Sequence, residues 1–182
     1  MRTSHNGHKQ TFKNQNSTKY LELKLQNTPS QNVDKDDIVY KTCLLLVTHF
    51  RNLLVHSEDN LGFHTRIFSH FLHPEEKFVF AGKSKMVTSD TPTHPEHVVP
   101  CAVLINECKR LINEGQLLDS QIAKLLRKHW RLARITKAEQ AKLDFELGHK
   151  STMPSGWRFE TGNTFERFRL AEIELLELDR FV

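Results

Sequence analysis

The apolar positions of this chain change period several times, and each change marks an element. Over 34–60, DKDDIVYKTCLLLVTHFRNLLVHSEDN, apolar residues follow acids suited to a helix N-terminus. That pattern predicts one long, largely buried helix. A shorter helix is expected over LGFHTRIFSHFLH, stopped by Pro74. KFVFAG and EHVVP read as strands separated by the loop KSKMVTSDTPT. In CAVLINECKRLINEG, Val103, Leu104, Cys108, Leu111 and Ile112 keep the helical period and Gly115 ends it. LDSQIAKLLRKH repeats that pattern behind an Asp119/Ser120 cap, and WRLARI is strand-like. Thr136 is placed to cap KAEQAKLDFEL, with Glu139 at the third helical position as in a capping box. GHKSTMPSGWRFETGN reads as a loop, and TFERFRLAEIELLELDRFV as a final helix. Near the start, Leu21, Leu23 and Leu25 alternate with polar residues at the period of a half-buried strand. These patterns predict an α+β, mainly α fold without internal repeats.

Composition adds a boundary. The 182 residues are 38% hydrophobic and 26% charged, which suits one globular core of ordinary size. The net charge of +4 resides in residues 1–35, where six Lys/Arg face only Glu22 and Asp34. The expected organisation is therefore a basic, largely flexible arm over 1–35 and a single, formally neutral helical domain over 36–182. Such an arm suits nucleic acid and equally a solvated tail. No uninterrupted apolar run approaches a membrane span, and the opening MRTSHNGHKQ lacks the apolar stretch of a secretory signal. Cys43, Cys101 and Cys108 form no disulfide framework, so a cytoplasmic setting without membrane contact is expected.

The chemistry concentrates in DTPTHPEHVVPCAVL, where His94, Glu96 and His97 crowd a short β-like run before Pro100. PEHVVP resembles the first half of the His-Me finger (HNH-like) endonuclease motif, a strand ending in an acid–histidine pair, then apolar residues and proline. The resemblance implies a metal-dependent DNA endonuclease. His97 would be the general base, neutral near pH 7, and Glu96 would hold a divalent ion, Mg2+ or Mn2+, on the scissile phosphate. It also implies a second strand and a helix carrying a further ligand. Asn106 is one candidate. The later unit, 130–150, supplies the missing strand and offers Glu139, Asp144 and His149, which makes about 76–150 a ββα-metal-like finger with a helical insertion. The family's asparagine–histidine pair is absent at its usual spacing.

Zn2+ ranks behind these ions. His94, His97, Cys101 and Cys108 are zinc-ligand types, but the two cysteines lie seven apart on a predicted helix, about 10 Å of rise. His129 reads as a surface histidine, and His49 and His56 as the edge of a buried helix face.

DNA is the expected partner. Lys124, Arg127, Lys128 and Arg131 follow the i, i+3, i+4, i+7 spacing of one helix face, with Arg134 close behind. Lys83 and Lys85 before the motif, and Arg167 and Arg169 after the Trp157 loop, extend the expected phosphate contacts. The same stripe also suits a solvated face balancing nearby acids. Two rival readings remain: a non-catalytic nucleic-acid-binding or regulatory protein retaining a decayed finger, and a helical protein-interaction module. Oligomeric state and any protein partner are left open by the sequence.

Overall fold

The computed structural model describes residues 34–56 and 61–176. The basic arm up to residue 33, the alternating leucines within it, residues 57–60 and the last six residues lie outside that description. The described body is α+β and mainly helical, as the periodicity predicts.

Helix α1, Lys35–His56, opens with Asp36 and Asp37 in its first turn and buries Val39, Cys43, Leu46, Val47 and Phe50. It is the one helix among the described residues long and apolar enough to cross a membrane by length and composition. Its apolar face is instead occupied by α4, Cys101–Glu114, and α5, Asp119–His129. Leu104, Cys108, Leu111, Ile122 and Leu126 meet that face, and Phe68, Trp130 and Phe159 complete this first core. Between α1 and α4 the chain forms two short helices, α2 (Ile67–Phe71) and α3 (Glu76–Val79). The expected strand KFVFAG therefore starts late: its first residues close a helical turn, and β1 covers only Phe80–Lys83.

Strand β2 is Thr93–His97 and β3 is Leu132–Thr136. Val98–Pro100, expected as strand, instead lead into α4. The sheet order is β1-β3-β2, with β3 parallel to β1 and antiparallel to β2. His97 pairs with Leu132 at one end of the sheet and Thr93 with Thr136 at the other. The central strand divides two cores: Leu132 joins the helical one, while Ala133 and Ile135 join Val98, Leu143, Phe168, Ala171 and Ile173.

Local signals fix the junctions. Gly115 takes the left-handed conformation, φ 66°, that ends α4. Leu118, rather than Asp119 or Ser120, is the N-cap of α5, and the Gln121 side chain accepts its N–H at 2.8 Å. Thr136 Oγ1 accepts from Glu139 N at 3.1 Å while Glu139 accepts Thr136 N at 2.8 Å, the reciprocal pair expected. It opens α6, Lys137–Ala141, which continues as one π-helical turn through Glu146.

The expected C-terminal helix is corrected. Helix α7 spans only Glu166–Leu170. Glu172 then turns left-handed at φ 57°, with Ile173 N bonded to Phe168 O and Glu172 N to Arg169 O. This double closure is a Schellman motif, and packing of Ile173 with Phe168 secures it. The released chain runs antiparallel along β1, through Lys85 N to Glu174 O and Leu176 N to Lys83 O. Gly82, at φ 132°, permits this approach, because a Cβ there would meet Leu176 O at 2.9 Å.

Candidate functional site

His97 closes β2, and Pro100 starts the turn into α4, so Cys101 becomes the first residue of a 14-residue helix. Glu75 arrives from the N-cap position of α3 and is buried. Its Oε1 accepts His97 Nε2 at 2.6 Å and Trp130 Nε1 at 2.5 Å. The Cys101 side chain lies near enough to the His97 ring to favour its protonated form. Histidine and glutamate thus form a bonded pair with the cysteine beside them in one row, and Trp130 also donates to the glutamate. Burial pulls the pKa of His97 down, but the Cys101 and Glu75 side chains beside it outweigh burial and lift it to about 10. The expectation of a neutral His97 near pH 7 is corrected on that ground: the ring holds its proton.

The row opens onto a cleft of about 460 Å³ bordered by Arg66, His94, Glu96, His97, Cys101 and Lys150. At its floor the first hydrogen bond of α4 runs from Leu104 N to Pro100 O. The N–H groups of Cys101, Ala102 and Val103 consequently have no acceptor within the helix.

Beside His97, Glu96 is held by Arg167, which is completely buried. Arg167 donates to Glu96 Oε1 and His97 O, each at 2.5 Å, to His149 O at 2.7 Å and to Val98 O at 3.3 Å. Its expected role as a phosphate contact is corrected by this burial; Arg167 is the internal strut of the site.

The other expected metal ligands are engaged apart from one another. Glu139 caps α6 at the Thr136 end of the sheet and accepts from Ser84 Oγ at 2.5 Å. That end is four residues along β3 from the partner of His97, about 13 Å of strand. Asp144 sits with Gln140 and His149 Nδ1 with Thr152. Among the described residues no three His, Cys, Asp or Glu side chains converge on a metal-sized position. The donor set proposed for a divalent ion therefore does not fit together, since its one carboxylate at the cleft already has a cation. The zinc set does not assemble either: Cys108 is fully buried in the helical core, whereas Cys101 lines the cleft.

The basic stripe is partly spent on internal partners. Arg127 pairs with Asp36 at 2.5 Å and lies over the Tyr40 ring. Lys128 donates to Gly162 O at 3.1 Å, Arg134 chelates Glu76 at 2.6 and 2.8 Å, and Lys85 pairs with Glu174 at 2.6 Å. Arg131 is half-buried, and Arg169 pairs with Glu166. Lys83 and Lys124 are exposed and make no ion pair among the described residues.

His129 is also corrected, from surface to core. It is fully buried, bonded to Phe159 O at 2.8 Å and to Thr164 Oγ1 at 3.0 Å, and burial lowers its pKa to about 4. His49 is half-buried and His56 exposed, the graded edge expected of that helix face.

Sequence reasoning found His97 and missed its two partners. The spacing His-x3-Cys across a proline, placing the thiol at a helix start, was the available signal for Cys101. Glu75 has none, being 22 residues away with no motif around it. Comparison with known protein families, curated proteins and solved structures finds no match to this chain.

Proposed function

We propose that the chain is a thiol-dependent hydrolase acting on an acyl bond, with Cys101 as nucleophile, His97 as proton carrier and Glu75 as the group that orients it. One observation carries the reading: a His97 ring bonded to a buried carboxylate lines the same cleft as the half-exposed Cys101 thiol. A thiol beside an imidazole at a helix N-terminus is the setting in which sulfur becomes a strong nucleophile. With the His97 ring already protonated, sulfur attacks as its thiolate and bonds to the substrate carbonyl carbon. The carbonyl oxygen takes the charge facing the free N–H groups of Cys101 and Ala102. Collapse breaks the bond to the leaving group, which takes its proton from His97. Water then attacks the thioester, His97 removes the water's proton, and the carboxylic acid leaves as the thiolate and the protonated ring are restored.

The test is hydrolysis of a small panel of activated esters and thioesters, with intact-mass detection of an acyl-enzyme. Cys101→Ser and His97→Gln should each lower turnover by 10²-fold or more, with no effect of EDTA. An acyl adduct forming equally on Cys101→Ser protein would overturn the assignment.

The endonuclease reading keeps one observation in its favour. β2 lies antiparallel to β3, and α6 follows directly, which is the strand–strand–helix order of the finger. Under that reading DNA is the substrate, and the exposed Lys83 and Lys124 are its first phosphate contacts. Nicking of supercoiled plasmid in Mg2+, abolished by EDTA and indifferent to Cys101→Ser, would favour it over thiol chemistry.

A further inference from the structure

Charge around the cleft is unevenly balanced. Each carboxylate has a cation: Glu75 meets His97, and Glu96 meets Arg167, with His94 Nε2 a further 3.4 Å away. The two outer cations have none. Arg66, just before α2, and Lys150, in the loop after α6, are exposed on the cleft rim and make no ion pair among the described residues. Elsewhere on the body, guanidinium groups are mostly committed: Arg51 to Asp119, Arg110 to three glutamates, Arg134 to Glu76. A pair of unmatched cations on the lining of the cleft that Cys101 also borders is an arrangement for holding an anion. Free helix N–H groups at Cys101 add partial positive charge of the same sign.

We infer that the substrate carries an anionic group beside its scissile carbonyl, held between Arg66 and Lys150 while Cys101 attacks. This rests on the thiol reading and names the substrate class: acyl compounds bearing a carboxylate or phosphate near the reacting carbon, rather than neutral esters or amides. Recognition by two rim cations fixes the direction of approach, since the anion occupies the outer cleft and the carbonyl is left over the sulfur.

Alkylation isolates this claim from turnover. Iodoacetate and iodoacetamide both react by displacement, in which sulfur bonds to the methylene carbon and iodide leaves. They differ in charge and little in size. Rate constants are measured on the full chain at low ionic strength, with the modified cysteine assigned by peptide mass; buried Cys43 and Cys108 serve as internal controls. The wild type should prefer iodoacetate. His97 alone would confer part of that preference, so the informative quantity is its change. In Arg66→Ala/Lys150→Ala the iodoacetate-to-iodoacetamide ratio should fall about tenfold, the scale of one lost charge-assisted hydrogen bond. Lys35→Ala, an exposed cation away from the cleft lining, should leave it unchanged. Added acetate and inorganic phosphate compete as probes: stronger protection by acetate assigns a carboxylate substrate, stronger protection by phosphate a phosphorylated one, and protection by neither overturns the anion site. A ratio unchanged in the double variant, with Cys101 still reacting rapidly with iodoacetamide, overturns the anion inference and leaves the thiol reading standing. Cys101 reacting no faster than a free thiol overturns both.

Discussion

Replacing Arg167 by Met tests what organises the cleft. The guanidinium is completely buried and serves four acceptors, the Glu96 carboxylate and the carbonyls of Val98, His97 and His149. Methionine fills similar volume and offers no donor, so a carboxylate only 13% exposed loses its cation and three carbonyls lose a partner. Breaking a buried pair from one side costs about 3–5 kcal/mol. Each buried carbonyl left unpaired adds about 1–3 kcal/mol, at the low end where water enters. The expected loss is therefore at least about 5 kcal/mol, a large part of the roughly 5–15 kcal/mol that holds a domain folded. The assay is urea unfolding followed by fluorescence of buried Trp130. Arg167→Met should be unfolded or nearly so without denaturant. Arg167→Met/Glu96→Leu, which removes the stranded charge, should recover about 2 kcal/mol or more. An Arg167→Met midpoint within about 1 kcal/mol of wild type, or a double variant no better than the single one, would refute this account of the strut.

Two histidines should give stability a pH optimum. His129, lowered from 6.5 to about 4, leaves the unfolded chain binding the extra proton in acid, so its contribution is whole above pH 6.5 and lost as pH falls toward 4. His97, raised from 6.5 to about 10, has the opposite sign: its contribution is whole below pH 6.5 and lost as pH rises toward 10. Urea midpoints across pH 4–10 should peak between these limbs, and His129→Gln should flatten only the acid one; a monotonic profile would contradict both assignments. Thr136→Ala removes the α6 cap and should cost about 1 kcal/mol by the same unfolding assay. Glu172→Gly relieves a left-handed glutamate and should raise stability by about 0.5–1 kcal/mol. The Lys142 ion pair it removes is fully exposed on the glutamate side and offsets little.

Legibility followed distance along the chain. The Thr136–Glu139 box, the Gly115 stop and the amphipathic faces of α1, α4 and α5 depend on residues within a few positions of each other, and all were readable. The C-terminal helix was not. Its end is set by Glu172 adopting a glycine-like conformation, which Ile173 packing on Phe168 enforces and no residue type announces. The acid–histidine pair at the end of β2 was visible as chemistry, but its roles were not. What Glu96 and His97 do depends on Arg167, 71 and 70 residues away, and on Glu75, 22 residues away. Arg167 itself looked like a surface cation because a basic residue in a charged helix is ordinarily solvated. Only the second core, closing over that helix, buries it.

The position of that strut has a consequence for biosynthesis. β2, α4 and the cysteine are made well before residue 167. Until α7 docks, Glu96 has no buried counter-charge, and the backbone carbonyls of His97 and Val98 lack their donor. The last part of the chain also supplies the segment that borders β1. A polypeptide that stops short of α7 thus holds β2 and α4 without the buried cation that ties Glu96 to the backbone of His97 and Val98. The cleft is therefore framed only once α7 has been made and has docked.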